Sequence, residues 1–305
     1  MTAAVFESSN ISMEIREFKL FRTLIHERTG IWLRDGKQVM LASRLSRRLR
    51  HHSLSNFAQY YDYVQNLRDN GEEMLQLINC VTTNKTSFFR ERHHFDFLAN
   101  TVVPEIQRAV AHGGPRKVRV WSAASSTGAE AYSIAITLLE ALAAPCHASI
   151  AAQPTKVASI GPWKIEIIAS DIDTNVLNTA IRAIYPVEEL ASVPPPLRKK
   201  YFLRGKDEMI GQVKVKPEVA RLVEFKRINL MDADWSIEGP FDVIFFRNAL
   251  IYFNQKTQDV FLRKMTRYLK PQGYLFLGNS EHIPWLHSIL EPLKQTMYQL
   301  RETDE

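Results

Sequence analysis

The sequence contains few cysteines, few glycines and no long apolar run. Its 305 residues include two cysteines, Cys80 and Cys146, so we expect neither a disulfide framework nor a CxxC metal or redox site. Only 12 glycines and no repeat of fixed period exclude collagen-like and solenoid architectures. No segment reaches the roughly 18 consecutive apolar residues that cross a bilayer, and residues 1–10 lack the pattern of a secretory signal. We therefore expect a cytoplasmic protein that does not insert directly into a membrane.

The composition is that of a globular protein with a basic charge. Apolar residues make up 45% of the chain and charged residues 24%, which suits one large or two medium hydrophobic cores. Lysine and arginine number 39 against 33 aspartates and glutamates, which gives a net charge of +6. This excess favours an anionic partner, and nucleic acid, an acidic protein surface or a phosphorylated ligand would each satisfy it. Nothing in the sequence requires more than a monomer.

The hydrophobic pattern divides the chain into two parts. From about Ile15 to Val81 apolar residues recur at helical spacing, and no segment alternates as a strand does. After Gly113-Gly114-Pro115 short apolar strands alternate with helices, a pattern typical of a doubly wound α/β sheet. We therefore predict an all-helical domain over residues 1–90 and an α/β domain over residues 91–305. The predicted strands of the second domain are Val118–Trp121, Ile165–Ala169, Val223–Asn229, Val243–Phe246 and Tyr274–Leu277, with helices near 130–142, 176–183 and 258–269.

Two stretches interrupt this alternation. Residues 144–162 are rich in Ala, Ser, Gln, Pro and Thr and are predicted to form an extended surface loop. The segment from Pro194-Pro195-Pro196 to Val215 has the pattern of a small strand-bearing insertion, which we place at about residues 190–222. Neither stretch carries obvious catalytic chemistry.

The first strand of the α/β domain leads into a turn of small residues. Val118–Trp121 is followed by the run Ser122 to Gly128, made only of serine, alanine, threonine and glycine, and then by a helix around Glu130. Small side chains let a ligand approach the backbone closely, and the helix N-terminus offers free N–H groups, as in nucleotide sites. Neither GxGxxG nor a P-loop is present. A turn that is merely tightly packed is the alternative interpretation.

The second strand of this domain ends in an acidic pair. In nucleotide-binding α/β folds, an acidic residue at this point accepts hydrogen bonds from ribose hydroxyls, usually about 20 residues after the glycine turn. Gly128 and Asp171 are 43 positions apart, and 24 remain when the 19 residues of loop 144–162 are set aside. We therefore assign Asp171 to a ribose. The alternative function, capping of the following helix, is assigned to Asp173.

Polar residues also follow the fourth strand. Arg247-Asn248 comes directly after a wholly apolar segment that ends at Phe246, at the point where ligands bind in open α/β sheets. Further on, a helix ends in the turn Lys270-Pro271-Gln272-Gly273, and the apolar strand Tyr274–Leu277 follows. A helix, a Lys-Pro-x-Gly turn and a late strand fit the closing half of a class I S-adenosylmethionine (SAM) methyltransferase.

Short motifs along the chain fit one known family. They are Thr82–Glu91, Arg119–Ala124, Thr127-Gly128, Ala169–Asp173, Arg247-Asn248, Ile251–Phe253, and Gly278 with Ser280-Glu281. These motifs resemble those of the chemotaxis receptor methyltransferases of the CheR type, and the match runs from the N-terminal helices to about Tyr298. The resemblance implies a Rossmann-like class I SAM-methyltransferase fold with an N-terminal all-α domain and a small β insertion. It also implies methyl transfer from SAM to glutamate side chains of membrane chemoreceptors, which gives methyl esters and S-adenosylhomocysteine.

The resemblance further implies functions for individual residues. Asn84, Thr86 and Arg90 are expected to close over the cofactor, and Arg90 and Tyr252 to lie at the methyl-transfer centre. Further cofactor contacts are implied for Glu130, Asp171, Asn229, Leu230, Arg247 and Asn248, with Asp171 at the ribose and Asn229-Leu230 beside the adenine. The family usually has two glutamates after the Thr-Gly pair. Here the first is Ala129, which leaves the affinity for the cofactor open.

The residue inventory agrees with this chemistry. A glutamate carboxylate is ionised at about pH 7, so it can attack a sulfonium methyl group without a general base if the enzyme aligns the two and excludes water. No GxSxG or HExxH motif occurs, and we expect no metal. His93-His94 is the one tempting metal pair. Adjacent side chains on a helix diverge by about 100°, so we expect a structural or solvent-facing position instead.

A basic helical segment is predicted to dock the substrate. In Leu41 to Arg50 the leucines recur every fourth residue and form an apolar stripe, while Arg44, Arg47 and Arg50 fan out over the other side. Such a charged face is usually only solvated. No acidic residue occurs from Gly36 to Tyr61, however, so pairing within the helix cannot explain the arginines. We therefore favour docking of an acidic receptor helix.

Two other functions stay open at this point. The basic charge would suit a nucleic-acid methyltransferase, but the usual Asn/Asp-Pro-Pro-Tyr and catalytic-cysteine motifs are missing, so we expect no nucleic-acid partner. Ala129 would suit a SAM-binding module without turnover. Strong salt-dependent affinity for generic DNA or RNA would indicate the first function, and cofactor binding without turnover the second. The sequence does not identify the receptor or its glutamates, or whether the β insertion grips a receptor's C-terminal peptide.

Overall fold

The computed structural model describes residues 11–66, 71–143 and 161–302. Tertiary contacts divide the chain into a helical unit, Met1–Thr83 with Tyr252–Asn254, and an α/β unit, Asn84–Ile251 with Gln255–Glu305. The predicted surface loop lies outside the described residues except for its last two positions, and so does Cys146.

In its described part, the helical unit consists of α1 (Ile15–Thr29), α2 (Gln38–His51), α3 (Phe57–Asn66) and α4 (Glu72–Val81). Helix α1 begins at a capping box in which the Glu14 N–H donates to Glu17 Oε2 at 2.6 Å. It ends at Gly30, whose left-handed φ of 73° costs a glycine no strain. The core is formed by the predicted apolar faces, including Phe18, Phe21, Leu24, Ile25, Leu41, Leu45, Leu49, Phe57 and Tyr60. The prediction of an N-terminal all-helical domain is confirmed.

A buried polar cluster joins three of these helices. Glu73 on α4 accepts hydrogen bonds from Arg48 Nε at 2.9 Å and from Tyr60 Oη at 2.6 Å, and His52 Nε2 lies 2.8 Å from its Oε2. The Glu73 side chain is only 5% exposed. Burial would raise the pKa of Glu73, but the bonds from Arg48, Tyr60 and His52 outweigh burial and lower the pKa. The ionised carboxylate thus ties α2 and α3 to α4.

The α/β unit is organised around a mostly parallel sheet. In chain order its strands are β1 (Lys117–Ala123), β2 (Lys164–Asp171), β3 (Ile184–Pro186), β4 (Phe202–Arg204), β5 (Gln212–Val215), β6 (Val223–Arg227), β7 (Phe241–Phe246), β8 (Leu269–Leu277), β9 (Leu290–Pro292) and β10 (Met297–Leu300). Seven of them form one sheet in the order β6-β2-β1-β7-β8-β10-β9. Strands β6, β2, β1, β7 and β8 are parallel, and β10 pairs antiparallel with both β8 and β9. Strand β7 is buried along its whole length, as in sheets covered on both faces.

In its described part the α/β unit contains seven α-helices, which either precede the first strand or alternate with the later strands, as the pattern predicts. They are α5 (His93–Phe97), α6 (Val103–Ala111), α7 (Ala129–Ala143), α8 (Thr174–Arg182), α9 (Pro195–Tyr201), α10 (Pro217–Ala220) and α11 (Gln255–Thr266), with a π-helical turn, Leu98–Val102, between α5 and α6. Helix α7 is buried over most of its surface, and its alanines let it approach the sheet closely. The prediction of a doubly wound α/β fold is confirmed. None of the helices in the described ranges has the length and hydropathy to cross a membrane.

The predicted β insertion is a separate three-stranded antiparallel sheet in the order β3-β5-β4. Tyr185, Val213 and Val215 are buried and belong to the same core as α7 and β1. Because these buried residues share that core, and Tyr185 packs on Tyr132 of α7, the insertion is anchored to the α/β unit.

One local prediction is wrong. Lys270–Gly273, predicted as a turn before the last apolar strand, lies inside β8, which begins at Leu269. Leu269 pairs with Phe241, and Tyr274 pairs with Val243, so the register shifts between these two pairs. Between these pairs β8 advances five residues while β7 advances two, so the additional residues of β8 form an irregularity in the strand.

Candidate cofactor site and basic helix face

The turn between β1 and α7 has an unusual backbone. Ala124, Ser126 and Gly128 have left-handed φ values of 58°, 51° and 85°. A Cβ at Gly128 would lie 2.8 Å from the Ala180 side chain, so this position requires glycine. The Ser126 N–H donates to Asp171 Oδ2 at 2.8 Å. The small-residue turn is therefore tied directly to the end of β2.

Asp171 and Asp173 have different hydrogen-bond partners. Asp173 caps α8 by accepting the Asn175 N–H at 2.8 Å, which confirms the predicted cap. Asp171 is 7% exposed, and its Oδ1 accepts the Asp173 N–H at 3.0 Å. A carboxylate has about four acceptor positions, so Asp171 keeps capacity for a ligand hydroxyl. Burial raises the pKa of Asp171 to about 6.

Arg247 and Asn248 join an acidic cluster at the end of β7. The Arg247 side chain is 1% exposed and donates to Glu91 Oε2 at 2.9 Å and to Glu130 Oε2 at 3.2 Å. Asn248 Nδ2 donates to Glu91 Oε1 at 3.1 Å, and Ser122 Oγ donates to Glu130 Oε1 at 2.7 Å. The fold thereby brings Glu130, Arg247 and Asn248 together at the carboxyl ends of the parallel strands.

The two glutamates share one guanidinium group, yet their pKa values move in opposite directions. Burial favours the protonated form of both carboxyls. At Glu91, the bonds from Arg247 and Asn248 outweigh burial and lower the pKa. At Glu130, burial outweighs the attraction of Arg247 and raises the pKa. The cluster therefore contains one firmly ionised carboxylate and one that binds a proton more readily than usual.

The segment that precedes α5 is fixed against the same edge of the sheet. Asn84 Nδ2 donates to Asp173 Oδ2 at 2.6 Å, and the Asn84 carbonyl accepts from Ser126 Oγ at 2.8 Å. These bonds hold Asn84 beside the β1 turn and the end of β2. Thr86, two residues further on, is half-buried.

Arg90 is held by both its side chain and its backbone. Its Nη1 donates to the Lys85 carbonyl at 3.0 Å, and its own carbonyl accepts from Arg247 Nη2. Phe89 has a left-handed φ of 51°, and its N–H donates to Ser133 Oγ on α7 at 2.9 Å. Arg90 therefore lies next to Arg247, which is hydrogen-bonded to its backbone.

Asn229 and Leu230 follow β6 and are half-buried. The Ile228 N–H donates to the Asp171 carbonyl at 3.0 Å, so this segment runs beside the end of β2. Asn229 Oδ1 accepts the Met231 N–H at 3.1 Å, which closes a local turn. Both predicted adenine neighbours thus lie next to the predicted ribose partner.

Tyr252 is the predicted site residue that the structure does not group with the others. It clusters with the helical unit, where its carbonyl accepts the Trp32 N–H at 2.7 Å and Ile31 forms a β-bridge with Phe253. Its assignment to methyl transfer therefore stays a prediction from the resemblance.

His94, the second residue of the histidine pair, is a packing residue. His94 is completely buried, stacks on Phe276 with ring centroids 5.4 Å apart, and has Nε2 3.2 Å from the Gln295 carbonyl. Burial lowers the pKa of His94 to about 3, so the ring is neutral. Within the described ranges, no group of three His, Cys, Asp or Glu side chains is arranged to hold a metal ion.

The predicted docking arginines on α2 do not share one environment. Arg44 donates three hydrogen bonds to residues Val81–Thr83, two to backbone carbonyls and one of 2.9 Å to a threonine hydroxyl. The last carbonyls of a helix lack helical partners, and Arg44 satisfies them at the end of α4. Arg44 is thus held at the end of α4, and its assignment to receptor docking stays a prediction. Arg47 and Arg50 are exposed.

Several residues of this site escape sequence reasoning. Glu91 and Glu281 belong to the motifs that carry the family resemblance, which is the one signal that could have marked them. Ser122 and Ser126 enter the sequence analysis only as small residues, whereas in the structure they form hydrogen bonds within the site. Partners of this kind emerge only when the strand ends are placed side by side.

A mostly parallel sheet with a tight turn after β1, a buried aspartate at the end of β2 and polar residues after β7 is the arrangement expected of a class I SAM-dependent methyltransferase. Comparison with protein families supports this class over both units. The all-alpha domain of CheR methyltransferases matches residues 16–82, and their SAM-binding domain matches residues 84–299.

Individual relatives match over nearly the whole chain. The chain is 42% identical over 294 residues to chemotaxis protein methyltransferase 2 of Pseudomonas aeruginosa, which covers 96% of each protein. It is 40% identical to the chemotaxis protein methyltransferases of Salmonella typhimurium and Escherichia coli, over 96% of this chain and 93% of each relative. The chain belongs to the CheR methyltransferase family and is an enzyme that uses SAM as its cofactor.

The residues at the strand ends fit this cofactor. Ser125 Oγ and Arg247 Nε are buried, and neither has a hydrogen-bond partner in the part of the chain that the structure describes. Because an unpaired buried polar group costs roughly 1–3 kcal/mol, a polar ligand that bonds to these atoms would be stabilised. The Asp171 and Glu130 side chains offer carboxylate oxygens, which are acceptors of the kind that hydroxyl and ammonium groups need.

Proposed function

We propose that this enzyme transfers the methyl group of SAM to glutamate side chains of membrane chemoreceptors, and so adjusts receptor output in chemotactic adaptation. It acts as a cytoplasmic monomer on the cytoplasmic domain of the receptor. The observation that carries the proposal is 40–42% identity to chemotaxis protein methyltransferases over 96% of the chain. The presence of both family domains, in order, supports the same substrate class.

The reaction depends on alignment rather than on acid–base catalysis. A glutamate side chain is ionised at about pH 7. SAM supplies a methyl group on a sulfonium sulfur. When a carboxylate oxygen forms the new C–O bond, the C–S bond breaks and S-adenosylhomocysteine leaves as a neutral thioether, so no proton moves. The chain's own residues therefore have to hold the reactants in line and exclude water.

The cofactor contacts are assigned to the ends of β1, β2, β6 and β7. Asp171 accepts hydrogen bonds from the ribose, which is supported by its burial and its remaining acceptor capacity. Asn229-Leu230 is assigned to the adenine, which is supported by the hydrogen bond that holds the preceding residue, Ile228, beside Asp171. Glu130 and the pair Arg247-Asn248 complete the contacts, and their mutual hydrogen bonds orient them before the cofactor arrives.

The segment Asn84–Arg90 closes over the cofactor in this proposal. The Asn84–Asp173 hydrogen bond supports it, since that bond fixes the segment beside the residues that follow β2. Thr86 and Arg90 add contacts, and Arg90 with Tyr252 orients the methyl transfer. For Tyr252 the support is the resemblance of the motif Ile251–Phe253.

The exposed face of α2 is assigned to the receptor. Arg47 and Arg50 are exposed there, while Leu41, Leu45 and Leu49 are fully buried on the opposite side. A positive face of this kind attracts an acidic helix and orients it during encounter. Arg44 contributes to this face indirectly. Its hydrogen bonds anchor α2, which carries the exposed arginines, to the end of α4.

Methyl transfer from labelled SAM to receptor-containing membranes tests the proposal. We expect label in the receptor that alkali releases, as a carboxyl methyl ester requires. Membranes without chemoreceptors, treated in the same way, are the control. Transfer to DNA or RNA would instead support the nucleic-acid alternative, and SAM binding without transfer would indicate a silent module. Either of those results would refute the proposed function.

A further inference from the structure

One motif near the end of the chain has no function in the scheme above. Gly278 and Ser280-Glu281 follow β8, the strand next to β7 in the sheet. Glu281 is only 3% exposed, which is unusual for a glutamate because burial of a charge is costly. A buried carboxylate at this position needs partners.

The partners of Glu281 are backbone N–H groups at the ends of two strands. Its Oε2 accepts from the Asn248 N–H at 2.8 Å and from the Gly278 N–H at 2.7 Å. Its Oε1 accepts from the Ile251 N–H at 3.4 Å. One side chain therefore joins the end of β8 to the residues that follow β7.

The bonds to Glu281 fix the backbone at Asn248. Asn248 has a left-handed φ of 58°, which asparagine tolerates better than most non-glycine residues, and the bond from its N–H to Glu281 holds it in that conformation. In this conformation Asn248 Nδ2 donates to Glu91 Oε1 at 3.1 Å, the same glutamate that pairs with Arg247. The Glu281 carboxylate thus holds the backbone from which the Asn248 side chain reaches the acidic cluster.

Gly278 fits closely against the same residue. A Cβ at Gly278 would lie 2.4 Å from Asn248 Nδ2 and 2.9 Å from Glu281 Oε2, so a larger residue would displace one of them. The glycine and the glutamate of the motif therefore act on one target, the conformation of Asn248.

We propose that Glu281 is a positioning residue of the cofactor site, which acts by fixing the turn at Arg247-Asn248 in its binding conformation. This inference rests on the proposed function, because it takes Asn248 to contact the cofactor. Burial raises the pKa of Glu281 even though four backbone N–H groups favour its charged form, so its ionisation carries a cost. A residue needed only for packing could be apolar at no such cost.

The variant Glu281→Gln tests the proposal in the full chain. The amide keeps one acceptor oxygen but turns an NH₂ group toward backbone donors, so the turn should loosen. We expect the Kd for S-adenosylhomocysteine, measured by calorimetry, to rise about tenfold while the KM for receptor stays constant. Glu291→Gln, a change at an exposed glutamate of β9, is the matched control and should bind as the wild type does.

A purely structural function of Glu281 would give a different result. Partial unfolding would lower the number of binding sites per chain and kcat, while the folded molecules kept their wild-type Kd. That outcome, or an unchanged Kd with full stoichiometry, would overturn the proposal. If Glu281→Gln does not fold, Gly278→Ala gives a second test, since it keeps the carboxylate but displaces Asn248 and should also raise the Kd.

A double-variant comparison tests the route through Asn248. If Glu281 acts by placing Asn248, combining Glu281→Gln with Asn248→Ala should weaken binding no more than the stronger single change. Additive effects would overturn this route. Wild-type affinity in Asn248→Ala alone would refute the assignment of Asn248 to the cofactor, and with it the route. Wild-type affinity in Glu281→Gln alone would refute only the positioning function.

Discussion

Asp171 offers the sharpest test of the cofactor assignment. Its carboxylate accepts backbone N–H groups from both Ser126 and Asp173, so truncation to alanine would leave two buried donors unpaired and disturb the turn itself. Asp171→Asn is the better perturbation. It preserves the shape of the side chain and one acceptor oxygen, and it removes the charge that strengthens hydrogen bonds to ribose hydroxyls.

The size of the effect follows from the loss of charged acceptors. A hydrogen bond to a charged group contributes roughly 1.5–3 kcal/mol, so the loss of one such bond should raise the Kd for S-adenosylhomocysteine by about 10- to 150-fold. Asp207→Asn, at an exposed aspartate in the turn between β4 and β5, is the matched control and should leave the Kd unchanged.

The pH dependence gives an independent check. Burial raises the pKa of Asp171 to about 6 from an ordinary value of 3.8. Hydroxyl donors favour the ionised form, so cofactor binding must displace a proton below pH 6, and affinity should fall there by up to about tenfold per pH unit. A raised carboxyl pKa has the opposite effect on folding, because the free protein gains stability from Asp171 as pH falls from 6 toward 3.8.

Calorimetric titration of both proteins between pH 5 and pH 8 measures these effects. The wild type should lose affinity on the acid side of pH 6, and Asp171→Asn should bind weakly with a flatter profile. A folded Asp171→Asn protein that binds with wild-type affinity at pH 7.5 would refute the placement of the ribose at Asp171.

Four further predictions concern other parts of the chain. Replacing Arg47 and Arg50 together by glutamate should lower receptor methylation about tenfold at low salt without changing the Kd for S-adenosylhomocysteine. Added salt should lower the methylation rate of the wild type toward that of the variant. Normal methylation by the variant at low salt would disprove docking at these arginines. Arg44→Ala should instead lower the melting temperature, because the carbonyls at the end of α4 lose their hydrogen-bond donor. Glu73→Gln should destabilise the protein by about 3 kcal/mol at neutral pH in chemical denaturation, and the difference should shrink as pH falls through the lowered pKa of Glu73; a constant difference would contradict the ion pair. Tyr252→Phe should reduce kcat more than cofactor affinity, and unchanged turnover would leave the hydroxyl without a function.

Much of the fold could be predicted because periodicity is a local property. The apolar stripe of Leu41, Leu45 and Leu49 marks α2, and the uninterrupted apolar run that ends at Phe246 marks a central strand. The Asp173 cap was equally accessible, since a cap and the N–H that it accepts lie two residues apart. The start of β8 cannot be predicted from a local pattern, because its first residue gains a partner only when β7 lies beside it.

The sequence by itself determined the order of helices and strands, the family motifs and the residues that end the parallel strands. Only the tertiary structure decided which buried charges meet. Arg247 pairs with Glu91 from 156 positions away, and Glu281 reaches back 33 positions to Asn248. Neither pair can be predicted from a periodic pattern in the sequence, because the contacts form between strand ends that the sheet brings to one edge. Tertiary contacts also distinguish the arginines of α2. Arg44 is hydrogen-bonded to the end of α4, whereas Arg47 and Arg50 are exposed on the same helix.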